Sequence, residues 1–161
     1  MQSVTPLNQA NNSQNFYPAD GDWKIERLPF TASVAITDGA AVGSVVSASN
    51  PTGNLSLMPT SQATGQNFVG ILMEKINTTD ADYATAGKLK SVLVPTSKRA
   101  KAFFSVGAGT FTAADVGRVC LFHTDSKSLN VDGNGAGAQI VGIISSTQGL
   151  CTFDVPLVTT A

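Results

Sequence analysis

Charge is scarce in this chain: Asp, Glu, Lys and Arg make up 13% of its 161 residues, against about 25% in an ordinary soluble domain. A protein that stays dispersed as a free monomer usually carries a charged coat. A surface this bare of charge points to a chain that works against other protein. The net charge is -1, and Lys98, Arg99 and Lys101 are the one basic cluster. Neutralising a phosphate backbone takes many more cations, so nucleic acid is not an expected partner. Three cations at a strand end read as a solvated edge that discourages mispairing.

Histidine, cysteine and long apolar runs are equally sparse. His123 is the single imidazole, and with no Cys-x-x-Cys pair there is no zinc set. Cys120 and Cys151 each sit in an apolar run, the setting of a buried thiol that behaves as a small hydrophobe. They could bridge if their strands were neighbours. No apolar stretch reaches the ~20 residues of a membrane helix. Met1-Gln2-Ser3-Val4 shows neither the cationic start nor the apolar core of a signal peptide. The expectation is a soluble protein made without secretion, with no membrane partner.

Residues 1–22 form a compositional block of their own. Gln and Asn dominate it, with Val4, Leu7, Phe16 and Tyr17 as isolated apolar residues. Without a helical or strand period it cannot bury a face by itself. It reads as an extended arm that orders on a neighbour, with Val4, Leu7, Phe16, Tyr17 and Trp23 as anchors; a frayed terminus is the alternative. Residues 23–161 read as one β-domain. Trp23 to Leu28 alternates apolar and polar residues, as a half-buried strand does. Ser33–Thr37, Ala41–Ser47, Leu55–Met58, Phe68–Met73, Ser91–Val94, Ala100–Val106, Arg118–Phe122, Leu129–Val131, Gln139–Ser145 and Leu150–Val155 follow as further strands. Asp132-Gly133-Asn134-Gly135-Ala136-Gly137 reads as a flexible loop, and 77–88 as a loop with a turn. Strands about ten residues apart with turn chemistry between them make an all-β barrel or sandwich.

Phe68-Val69-Gly70-Ile71-Leu72 and Ile140-Val141-Gly142-Ile143-Ile144 echo each other. A Gly inside such a run marks a bulge or sharp corner, here read as a shared role within one barrel. Phe103-Phe104 must point to opposite faces of its strand; one enters the core and the other either offers a surface for an oligomer interface or is covered within the same protomer.

No catalytic, cofactor or metal constellation emerges, so the reading is a non-enzyme. Nucleophilic catalysis needs a base beside a Ser or Cys, and the chain has no Gly-x-Ser-x-Gly elbow. Gly107-Ala108-Gly109 follows a strand and leads into no helix. Asp20 with Asp22 and Asp80 with Asp82 lack the further acidic ligands of a calcium loop, and Asp132-Gly133-Asn134-Gly135 lacks the distal Glu.

The order of elements from Ala32 to Val158 resembles one family. It runs through Val34-Ala35-Ile36, Ala41-Val42-Gly43-Ser44-Val45-Val46 and Phe68-Val69-Gly70-Ile71-Leu72 to Val92-Leu93-Val94 and Ala102-Phe103-Phe104-Ser105-Val106. Thr112-Ala113-Ala114-Asp115-Val116-Gly117-Arg118-Val119 and Ile140-Val141-Gly142-Ile143-Ile144 complete it. This pattern is similar to the head-decoration, or cement, proteins of tailed bacteriophages, β-tulip-like barrels that coat the expanded capsid. The resemblance implies a structural virion protein, made in the host cytoplasm, that binds the major capsid protein from outside, often as a trimer, with an N-terminal arm along capsid subunits. A tail- or fibre-associated virion module and a carbohydrate-binding β-sandwich are the alternatives. With 7% aromatics the chain has few rings to stack on sugars.

Overall fold

The computed structural model describes residues 16–45, 53–58, 66–134 and 137–153. Its elements are β1 (Tyr17–Asp20), β2 (Trp23–Phe30), β3 (Ala41–Val45), β4 (Leu55–Leu57), β5 (Gln66–Leu72) and β6 (Lys88–Pro95). They continue with β7 (Lys101–Ala108), a 3-10 turn at Ala113–Asp115, β8 (Val119–Phe122), β9 (Leu129–Asn134), β10 (Ala138–Ser145) and β11 (Gln148–Phe153). The fold is all-β, as the alternation predicts.

Strands β2, β4, β3, β5 and β6 close a barrel, and the other six form the sheet β1-β7-β11-β10-β8-β9. Because β7 also pairs with β9, strands β7 to β11 return on themselves as a second ring, with β1 added at the edge of β7. The two rings share one wiring. In the first, β2 runs parallel to β4 and antiparallel to β6, β3 is antiparallel to β4 and β5, and β5 to β6. In the second, β7 runs parallel to β9 and antiparallel to β11, β8 is antiparallel to β9 and β10, and β10 to β11. The chain is a tandem of two rings with the same topology.

This corrects the reading of the echoed segments. They do not share one barrel; they are the corresponding strands, β5 and β10, of two rings. Each carries the bulge its Val-Gly pair predicts. Val42 pairs with Gly70 and Gly43 with Phe68, leaving Val69 extra. Ile140 pairs with Cys151 and Gly142 with Leu150, leaving Val141 extra. An extra residue bends the strand and sharpens its twist, which a ring of five short strands requires. At Gly70 the neighbouring strand comes so near that a Cβ would lie 2.3 Å from the Leu93 carbonyl oxygen.

Period-2 alternation divides the core. Val42, Leu72, Val92 and Val94 point into the first barrel with Phe30 and Leu55. Their neighbours Ala41, Ile71 and Leu93 point the other way and pack, with Phe68 and Met58, against Phe104, Phe122, Leu129, Ile140 and Phe153 of the second ring. The outer wall of β3, β5 and β6 is therefore interior to the molecule. Phe68 stacks on Phe153 with centroids 4.2 Å apart. Ser126, in the left-handed region at φ 57, rivets the junction: its carbonyl accepts from Ala41 N at 2.7 Å and its hydroxyl donates to the Met58 carbonyl.

Three expectations are corrected. Residues 33–37 form no strand; Ile36 makes only an isolated bridge to Ile76 and is buried with the first barrel's core. Asp132, Gly133 and Asn134 belong to β9 rather than to a loop, because β9 is held by β8 and β7 together. The boundary drawn after residue 22 falls inside the packed unit: Phe16 is wholly buried and β1 pairs with β7.

Candidate functional site

The entry of the chain into the fold is the place where the expected anchor residues converge. Phe16 has no exposed surface. Its ring sits edge-on to Phe122 and Phe153, with centroids 5.6 and 5.5 Å away, and its N–H donates to the Gly39 carbonyl at 3.0 Å. It therefore joins both rings from between them. Tyr17 pairs with Phe103 across β1 and β7, their rings 6.0 Å apart. Trp23 is half-buried, edge-on to Phe153 at 6.3 Å, and its Nε1 donates to the Asp20 carbonyl at 3.0 Å. Phe16, Tyr17 and Trp23 are thus engaged within the fold and are not free anchors for a partner. Val4 and Leu7 lie outside the described residues.

Phe103 and Phe104 do point to opposite faces of β7, and it is Phe104 that is corrected as an interface residue. Phe104 does enter the core, at 1% exposure, so it offers nothing to a second copy. Phe103 does face outward, but Tyr17 of the same chain lies against it.

A shallow depression of ≈ 570 Å³ lies beside this entry, lined by Asp20, Gly21, Asp22, Lys98, Arg99 and Lys101. It gathers the basic cluster and one of the aspartate pairs. Gly21, at φ +89, backs against the Arg99 carbonyl so closely that no Cβ fits. Asp22 Oδ2 accepts from Ser97 Oγ at 2.8 Å and from Arg99 Nη2 at 2.9 Å and Nε at 3.2 Å. These bonds, Ser97 first and then Arg99, hold its carboxyl below the ordinary value of 3.8. The carboxylate is spent on an internal fork, which also ties the β1–β2 turn to the β6–β7 connection.

Three further aspartates are committed likewise. Asp80 Oδ2 accepts from Asn77 N at 2.9 Å, and Asp82 pairs with Lys90 at 3.1 Å. Asp115 caps its own turn, accepting from Thr112 N at 2.8 Å, and meets Arg118 at 3.1 Å; the Thr112 N–H, then Arg118, lower its pKa against the opposing effect of burial. Among the described residues no three His, Cys, Asp or Glu groups gather as a metal site. His123 closes the loop after β8 through its backbone, its N–H donating to the Ser128 carbonyl and its carbonyl accepting from Ser126 N.

Both cysteines are buried and free. They face Ala138 and Ile140 from opposite sides of β10. One strand between them means roughly 10 Å, beyond the Cα separation a disulfide spans. Burial pushes both thiols up.

Sequence reasoning missed Lys88. It is 5% exposed and donates from Nζ to the carbonyls of Thr31 at 3.0 Å and Tyr83 at 2.6 Å. Burial lowers its pKa. The signal was present: strand alternation puts Lys88 on the face of Val92 and Val94. An ammonium there must be satisfied, and it pins the 77–87 loop over the end of the first barrel.

Among the described residues, these groups hold the start of the described chain in place and tie neighbouring loops together. Comparison of the chain with family models, with curated proteins and with solved structures finds no match.

Proposed function

We propose that this chain is a structural coat protein of a tailed-bacteriophage head, held on the outside of the major-capsid-protein lattice by its first fifteen residues. The observation that carries the reading is the anchoring of Phe16. The nineteen residues before Asp20 contain no charged side chain, and Phe16 fixes their exit point to the rigid junction of the two rings. A segment that precedes a buried, packed residue starts from a defined position on the molecule. It then adds as a strand to an exposed sheet edge, through main-chain hydrogen bonds with Val4 and Leu7 in pockets. Ordering such a segment costs about 1–2 kcal/mol per residue in backbone entropy. Several leaders engaging one lattice offset this by making later contacts intramolecular. The scarcity of charge and the resemblance to cement proteins support the same reading.

Deleting residues 2–15 tests it. The shortened chain keeps Phe16 and β1, is expected to fold and melt like the parent, and is expected not to co-sediment with expanded capsids. Undiminished co-sedimentation refutes the proposal.

A further inference from the structure

The dipeptide Asp-Gly occurs at Asp20-Gly21, Asp38-Gly39 and Asp132-Gly133. Its glycine has no side chain to shield the main-chain nitrogen, and that nitrogen can attack the carboxyl carbon of the aspartate before it. The fold treats the three pairs differently. At Asp38 the nucleophile is occupied: Gly39 is buried and its N–H donates to the Leu72 carbonyl at 2.8 Å. At Asp132 the carboxyl is turned elsewhere. Its Oδ1 accepts from Thr110 N at 3.4 Å, and its carboxyl carbon lies against Gly109. At Asp20 the two reacting groups face each other. Gly21 N donates to Asp20 Oδ1 at 2.7 Å, which brings the carboxyl within reach of that nitrogen. Asp20 is exposed, on the rim of the depression it shares with Lys98, Arg99 and Lys101.

We infer that Asp20-Gly21 is a self-modifying joint, at which the chain converts Asp20 to isoaspartate with water as the sole co-reactant. The Gly21 nitrogen forms a bond to Cγ of the carboxyl in its acid form, and the C–OH bond breaks. The hydroxyl leaves as water with the amide proton, and a succinimide ring closes. Water from the open depression then adds at the Asp20 main-chain carbonyl carbon, and the bond from that carbon to the Gly21 nitrogen breaks; addition at Cγ instead restores aspartate. One water is lost and one gained, with no change of oxidation state. The fold's contribution is proximity, the holding of nucleophile and electrophile in contact.

Isoaspartate routes the main chain through Cβ and Cγ, which lengthens it by one atom. This joint has no slack for it. Gly21 is pressed against the Arg99 carbonyl with no room for a Cβ, and Asp22 just beyond is tied to Ser97 and Arg99. The Asp20 carbonyl that accepts from Trp23 Nε1 leaves the main chain as a carboxylate. The added length is taken up in β1, which pairs with β7 only at Tyr17, Pro18 and Asp20, and Phe16 is loosened from its seat between the rings. The inference is a property of the chain alone and does not rest on capsid binding.

Ageing the full, folded chain in warm neutral buffer tests it. Peptide mapping with electron-transfer fragmentation separates isoaspartate from aspartate at equal mass. Asp20 is expected to convert about tenfold faster than Asp38 and Asp132, the mark of roughly 1.4 kcal/mol off the barrier. In urea, with the geometry gone, the three pairs are expected to react alike. Asn134-Gly135 reacts with loss of ammonia and is told apart by its mass. Asp20→Glu keeps the charge but needs a larger, slower-closing ring, and is expected to stay unmodified at that position. In the aged wild type the Phe16 amide, which donates to the Gly39 carbonyl, is expected to exchange its hydrogen faster than in fresh protein; in aged Asp20→Glu it keeps the fresh rate. Isoaspartate that is absent from the folded chain, spread evenly over the three pairs, or concentrated at Asp38 or Asp132 overturns the inference. So does a preference for Asp20 that survives in urea, or a chain modified at Asp20 whose Phe16 amide exchanges as slowly as before.

Discussion

Replacing Phe16 with alanine asks whether the start of the described chain belongs to the fold or merely leaves it. The ring has no exposed surface and lies edge-on to two further rings, Phe122 and Phe153. Truncating a buried Phe removes its transfer free energy and leaves a cavity, together about 3–5 kcal/mol; each edge-to-face pair accounts for about 0.5–1.5 kcal/mol of such a loss. For a chain of this length each kcal/mol moves Tm by about 2–4 °C, so the expected fall is roughly 6–20 °C. Since total stability is about 5–15 kcal/mol, the variant sits near the limit of folding. Thermal and urea melts followed by circular dichroism give the number. Ala86→Ser is the control, because that side chain is exposed and such surface changes stay within about 0.5 kcal/mol. If Phe16→Ala melts as close to the parent as Ala86→Ser does, the ring is not a structural anchor, and the argument for a clamped leader goes with it.

The two echoed glycines should respond differently. A Cβ at Gly70 meets the Leu93 carbonyl oxygen at 2.3 Å, whereas at Gly142 it meets only the Leu150 side chain at 3.7 Å. Gly70→Ala is expected to cost about 1–3 kcal/mol and Gly142→Ala little; equal melting curves would show that the bulges bear alike on packing. Asp22 and Asp115 are held below the ordinary aspartate value of 3.8. The unfolded chain therefore binds more protons in the window just beneath that value, so stability rises with pH there. Their contribution is complete above 3.8 and lost as pH falls through the lowered values. Asp22→Asn with Asp115→Asn is expected to flatten the acid limb of a Tm-against-pH curve, and an unaltered limb would refute the assignment.

Much of the strand inventory was legible because one side of each strand is wet or meets a different neighbour. Trp23–Glu26 and Leu55–Leu57 alternate in sequence, whereas Ser91–Val94 and Leu150–Phe153 show as short, largely apolar runs; the alternation at β2 still misplaces Ile25, which faces solvent. The bulges were legible too, since Gly within an apolar run has few other uses. The division into two rings was not. Each ring is closed by a short parallel pair, β2 with β4 and β7 with β9, and such a long-range pairing leaves no local pattern. Phe16 was misread for a related reason: a lone ring among Asn and Gln shows no period, and its burial comes from Phe122 and Phe153, more than a hundred residues later. Residues 33–37 look like a strand because Ile36 is apolar, but that side chain plugs the barrel rather than lining a ladder.

The partners of Phe16 also carry a consequence for synthesis. Phe153 lies in the last described strand, β11, so the earliest described residue cannot find its complete seat until residue 153 has been synthesised. A chain interrupted before β11 would leave Phe16 without Phe153 to pack against.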